Sequence, residues 1–180
     1  KTKDFMLDLS VNGEMLKNEM INMPLDPSTG LPRIIDSGSS TDGAYAFVEG
    51  RSIFDFWMRE WAGVDPSDGK PMWYQYYIDA NNNNVLDAGE DSFKVDDGNG
   101  GDANTSGSLY EYNQKVSGAN VQKTITKTYG NSTQVFINKS FIPKLRGAFR
   151  LTGKFKSFDF STQFTYSLGG YAYDAQYGEL

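Results

Sequence analysis

The chain has 180 residues, a formal charge of −6, no cysteine and no histidine, which removes disulfides, thiol nucleophiles, soft-metal sites and the commonest general base and zinc ligand. Aromatic residues reach 14% and glycine numbers 19, a β-rich and turn-rich profile. No run approaches the ~18 apolar residues of a membrane helix, which leaves crossing by strands open, because a barrel strand is only half hydrophobic.

In chain order, the first predicted element is a strand in which Phe5, Leu7, Leu9 and Val11 alternate with Met6, Asp8, Ser10 and Asn12. Met15, Leu16, Met20, Ile21 and Met23 follow at a spacing that fits either a strand extension or a short helix. A different grammar then runs to about residue 147. It has turn punctuation at Pro27-Ser28-Thr29-Gly30 and Asp36-Ser37-Gly38-Ser39-Ser40, an aromatic block, and an Asn/Asp/Gly-rich stretch after Asn81. So long an irregular segment is uncommon inside a compact soluble domain and ordinary as an outer loop of a large barrel.

Trp57, Trp61, Trp73, Tyr74 and Tyr76 in the aromatic block are candidates to stack on sugar rings, since aromatic faces match apolar pyranose surfaces. The plainer reading is that they pack the segment itself. After them comes the one strongly charged stretch: Asp79, Asp87, Glu90, Asp91, Asp96, Asp97 and Asp102 against Lys94. The rest of the chain is therefore near neutral and lacks the basic face that nucleic acid requires.

Residues 79–90 match the spacing of a twelve-residue calcium loop. Asp79, Asn81, Asn83, Asp87 and Glu90 supply oxygens at positions 1, 3, 5, 9 and 12, and Val85 supplies a carbonyl at position 7. Asn84 stands at position 6, where glycine is usual. A solvated Asn/Asp turn is the alternative. The adjacent acids Asp96 and Asp97 suggest a glycosidase pair only if a cleft and a raised pKa accompany them; a Gly/Asn-rich loop suggests neither, so no enzyme is expected.

The last element is a hairpin. Phe149, Leu151, Gly153 and Phe155 share one face and Arg150, Thr152 and Lys154 the other; Phe158, Phe160, Thr162, Phe164, Tyr166 and Leu168 then alternate with polar residues. A two-residue turn at Lys156-Ser157 pairs Phe155 with Phe158, sets Gly153 opposite Phe160, and places Lys154 opposite Asp159. Lys-Ser is not a preferred sequence for such a turn, which leaves a longer loop as the alternative. By periodicity alone the hairpin suits either a transmembrane barrel with a wet lumen or the edge of a soluble sandwich.

Several ordered motifs carry a resemblance. Glu49-Gly50-Arg51-Ser52-Ile53-Phe54-Asp55-Phe56-Trp57 leads into Trp61-Ala62-Gly63-Val64-Asp65-Pro66 with Gly69 and then Trp73-Tyr74. Asn138-Lys139-Ser140 leads into Pro143-Lys144 and Gly147, and Phe158-Asp159-Phe160-Ser161-Thr162-Gln163-Phe164 precedes Gly169-Gly170-Tyr171-Ala172-Tyr173-Asp174. This series resembles the SusC/RagA-like TonB-dependent outer-membrane transporters.

The resemblance implies an all-β chain that forms part of a large antiparallel transmembrane barrel of about 22 strands. Residues 1–13 would be one barrel strand, 14–147 a long extracellular loop region holding the calcium-type loop, and 148–180 a barrel hairpin with the start of the next loop. It also implies a location in the outer membrane among its lipids, and import of an oligosaccharide under a SusD-like surface lipoprotein. Peptides are the cargo in the RagA branch. TonB would engage a region outside this chain. A soluble, calcium-stabilised extracellular binding module is the competing class.

Overall fold

The computed structural model describes residues 4–25, 27, 32, 34–36, 44–93, 95–96, 102–103 and 108–174. Positions 28–30, 37–40, 94 and 97, on which part of the turn punctuation and the acidic stretch fall, lie outside the described residues. The chain is mostly β with antiparallel pairing, and its described residues hold one α-helix. It divides into two compact units, one of residues Lys1–Asn18 with Lys139–Leu180 and one of Glu19–Asn138.

The first unit is a three-stranded sheet in the order β1 (Phe5–Met15), β11 (Leu145–Phe155), β12 (Phe158–Leu168). Each strand has 11 residues. The register runs unbroken from Phe5↔Phe155 to Met15↔Leu145 and from Phe155↔Phe158 to Leu145↔Leu168. The hairpin pairs as its alternation predicts, with Gly153 opposite Phe160 and Lys154 opposite Asp159. Lys156 adopts φ +53, taking the left-handed position that Asn or Gly usually fills in such a turn. A Cβ on Gly153 would overlap the Phe160 ring, so that strand position admits glycine only. Residues 16–25, ambiguous in sequence, form neither strand nor helix.

The second unit occupies the stretch read as loop, and it has sheets and a core of its own. β2 (Ile35–Asp36) pairs with β3 (Ala46–Phe47), β4 (Asp55–Arg59) with β10 (Gln134–Ser140), and β7 (Val95–Asp96) with β8 (Asp102–Ala103). β5 (Trp61–Val64), β6 (Pro71–Ile78) and β9 (Val121–Thr126) form a second three-stranded sheet. The longest strand among these, β6, has 8 residues, short of the ~9–11 that a barrel strand needs to cross a membrane. Helix α1 (Leu109–Lys115) begins at Ser108, whose hydroxyl accepts the Glu111 amide at 3.1 Å. Ala44, Ala46, Val48, Phe56, Trp57, Tyr77, Phe93 and Leu109 are buried. No helix among the described residues is long and apolar enough to cross a membrane.

Candidate functional site

Two regions carry chemistry, and they are built differently. In the sheet of the first unit, the in-register pairing turns the sequence alternation into two continuous faces. Phe5, Leu7, Leu9 and Val11 of β1 share one face with Phe149, Leu151 and Phe155 of β11 and with Phe158, Phe160 and Phe164 of β12. Phe149 and Phe164 stack at 4.8 Å between ring centroids. This face is solvent-exposed in the unit; Leu9 is 64% and Val11 65% accessible.

The opposite face is polar and internally paired. Lys154 lies 3.5 Å from Asp159, Arg146 pairs with Glu14, the Arg150 Nε donates to the Ser161 hydroxyl at 3.2 Å, and Asn12 Oδ1 accepts the Ala148 amide at 2.9 Å. On the apolar face, Tyr166 reaches across β11 to donate its hydroxyl to the Asn12 carbonyl at 3.1 Å, through the space that Gly13 and Gly147 leave free.

In the second unit, β6 delivers the chain into the 79–90 loop. Asp79 is 2% accessible; its two carboxylate oxygens accept the amides of Asn83 at 3.0 Å and Asn84 at 2.9 Å. The side-chain amides of Asn81 and Asn83 both donate to Asp87 Oδ2, at 2.8 and 2.9 Å. Glu90 closes the loop, one oxygen accepting the Ala80 amide at 3.0 Å and the other the Asp87 amide at 2.9 Å. The structure thus gathers Asp79, Asn81, Asn83, Asp87 and Glu90 on one tight turn, with Val85 exposed on its rim.

Asn84 takes φ +59, so asparagine adopts the left-handed turn for which glycine is usual at position 6. Among the described residues, no group of three or more His, Cys, Asp or Glu side chains gathers closely enough to hold a metal alone. Any cation here would draw on the Asn oxygens and the Val85 carbonyl as well, and that mixed oxygen set suits calcium.

Residues that spacing could not reveal complete this region. Asn120, just before β9, donates from its side chain to Asn82 Oδ1 at 2.9 Å and accepts the Asp79 amide on its carbonyl at 2.9 Å; Gln122 then donates to Asn120 Oδ1 at 2.8 Å. They lie about 40 positions from the loop they brace, so no local pattern announces them.

The aromatic candidates separate. Trp57 is 4% accessible and packs on Phe136 at 4.8 Å, so it is a core residue with no face for an external ligand; its strand, β4, turns it inward against β10. Trp61 is 50% accessible and meets Trp73 edge-on at 5.8 Å, and Trp73 meets Tyr129 at 5.2 Å. Tyr74 is covered by the Lys123 ammonium at 3.8 Å. The Tyr76 hydroxyl donates to Glu60 at 2.6 Å, and burial together with this carboxylate raises its pKa beyond the tyrosine range. Of the five, Trp61 alone is half exposed.

The Trp-Ala-Gly-Val-Asp-Pro motif has a structural explanation. It forms β5 and the turn into β6, where Asp65 Oδ1 accepts the Ser67 amide at 2.7 Å and its hydroxyl at 2.6 Å, Gly69 turns at φ +70, and Lys127 of the strand-following loop pairs with Asp65 at 2.5 Å and Asp68 at 3.0 Å. The Lys127 hydrogen bond, then those from Ser67, hold the Asp65 carboxyl far below the usual carboxylate range.

In comparisons with known proteins, no family model, curated protein or solved structure matches this chain.

Proposed function

We propose that this chain forms part of the wall and an outer segment of a SusC/RagA-like TonB-dependent transporter. The two-faced β1–β11–β12 sheet carries the proposal. Its 11-residue strands extend about 36 Å at 3.3 Å per residue, and a tilt near 45° brings that to about 25 Å, the height of a barrel's apolar band. An apolar face this continuous and this exposed needs a nonaqueous neighbour, and the ion-paired opposite face suits a water-filled lumen. Both outer strands, β1 and β12, also have one edge unpaired within the described sheet; in lipid those edges need further strands.

On this reading the chain contributes to import of an oligosaccharide beneath a SusD-like surface lipoprotein, with TonB acting on another part of the protein and no catalytic step; peptides are the alternative cargo. The 79–90 loop would hold a structural calcium ion that pins a segment poor in apolar side chains. A soluble module would bury the Leu9 and Val11 stripe, and no described element of the first unit covers it.

The chain contains no cysteine, so single cysteines can report on each face. In the full-length protein in lipid vesicles, a polarity-sensitive dye at Leu9→Cys or Phe164→Cys should read hydrocarbon, and at Ser10→Cys or Gln163→Cys should read water. A water-like signal from both faces would reject the barrel reading.

A further inference from the structure

The end of the sheet opposite the Lys156-Ser157 turn holds a cluster for which wall-building has no use. Past β12, Gly169 at φ +79 reverses the chain, and the Tyr171 amide donates to the Ser140 carbonyl at 3.0 Å. This return lays Tyr171 against Lys139, whose ammonium sits 3.0 Å from the phenol oxygen and 4.5 Å from the ring centroid. Lys144 joins them. Its amide donates to the Leu168 carbonyl at 3.0 Å, and its side chain runs along Gly169, where an added Cβ would lie 3.4 Å from Lys144 Cγ. The Lys139 hydrogen bond and charge, and then the Lys144 charge, lower the pKa of the Tyr171 hydroxyl.

All three side chains are exposed, and neither lysine meets a carboxylate among the described residues. Glu14, at the same end of the sheet, is taken by Arg146. Two ammonium groups and a phenol hydroxyl are donors suited to the oxygens of one phosphate. They stand at the end of the apolar stripe, where Met15, Leu145 and Leu168 form its last row, and Phe141 and Tyr173 beside them are exposed aromatics of the kind that line membrane interfaces.

We propose that Lys139, Lys144 and Tyr171 bind the phosphate of an anionic lipid headgroup, whose acyl chains lie along the Met15, Leu145 and Leu168 row. This rests on the reading of β1, β11 and β12 as membrane-crossing strands. Continuity of the cationic cluster with the apolar stripe selects a lipid over a free anion, because only a lipid engages both surfaces at once.

The test reconstitutes the full-length protein in nanodiscs of mixed phosphatidylglycerol and phosphatidylcholine, extracts it gently into detergent, and identifies the retained lipid by native mass spectrometry. Wild type should retain phosphatidylglycerol preferentially. The Lys139→Gln/Lys144→Gln pair should lose that preference by about tenfold or more, and Lys139→Arg/Lys144→Arg should restore it; heat-modifiable gel migration verifies that each variant is folded. An unchanged preference in the folded glutamine pair overturns the proposal. So does inorganic phosphate binding as tightly as the lipid, which would make the site a free-anion site. Failure of the protein to enter nanodiscs at all removes the membrane reading and this site together, whereas entry without lipid preference removes this site alone.

Discussion

Mid-strand apolar residues behave oppositely in the two units. In the β1–β11–β12 sheet, Leu9 and Val11 lie open to solvent although they sit at the centre of a strand, whereas in the 19–138 unit the strand residues Phe56, Trp57 and Tyr77 are buried. The first unit turns nearly all its apolar area outward on one face and pairs its charges on the other. The second collapses short strands of 2–8 residues onto a small conventional core. A soluble fold buries apolar surface against itself; a membrane wall leaves it for the solvent around it. On the proposed reading, the contrast reflects the solvent each unit is built for.

The sharpest way to break this contrast is to place a charge on each face. Leu9→Arg should destabilise the full-length protein by about 2–4 kcal/mol in lipid, because the guanidinium would sit near mid-membrane. Thr152→Arg, on the polar face beside Ser161, should change stability by less than about 0.5 kcal/mol. Urea unfolding from lipid vesicles measures both. Equal effects would mean that the two faces see the same medium, and the contrast would collapse.

Cation removal addresses the other unit. With calcium at tenfold its dissociation constant, the 79–90 loop should gain about 1.4 kcal/mol of local stability. Only three of its five ligating side chains are carboxylates, so the affinity expected is of the extracellular-module kind, on the order of 10⁻⁴–10⁻³ M. Chelation should expose the loop to proteolysis while leaving the heat-modifiable migration of the full-length protein unchanged, and Asp79→Asn should abolish the difference. A cleavage rate that is the same with and without calcium in the wild type would remove the ion from the account.

How much of this was legible in the sequence follows from the same contrast. The β11–β12 hairpin was readable to the residue pair, since a period of two and a two-residue turn leave one register that keeps the aromatic faces together; Gly153 opposite Phe160 and Lys154 opposite Asp159 follow from it. The inserted unit hid its sheets because its strands are too short for periodicity to show, and its turns rest on side-chain bonds such as those of Asp65. That the 79–90 side chains gather on one turn was visible by spacing, yet Asn120 and Gln122 come from the distant start of β9 and have no spacing to betray them. Trp57 looked like the half-exposed Trp61 because composition does not distinguish the inward from the outward positions of a five-residue strand.

The smallest expected effect separates a structural motif from a functional one within the second unit. Asp65 has its pKa depressed from 3.8 by Lys127 and Ser67, so its contribution to the β5–β6 turn is full above about that pH and is lost as pH falls further, through the depressed value. Lys127 has its pKa raised above 10.5 by Asp65 and then Asp68, so its contribution is full below that pH and lost as pH rises through the raised value. The pair is therefore intact between these limits. Hydrogen exchange at residues 65–73, corrected for intrinsic rates, should be constant from pH 5 to pH 8 and should accelerate below pH 3.8. Lys127→Met should raise exchange modestly at neutral pH and shift the acid-induced loosening upward, toward the ordinary aspartate range, because Ser67 alone then holds the carboxylate. Lys127 is exposed and Asp65 partly so, and solvent screening keeps the effect small. An identical acid profile in wild type and Lys127→Met would show that the lysine does not anchor the turn, and the Trp-Ala-Gly-Val-Asp-Pro segment would then need a role other than folding.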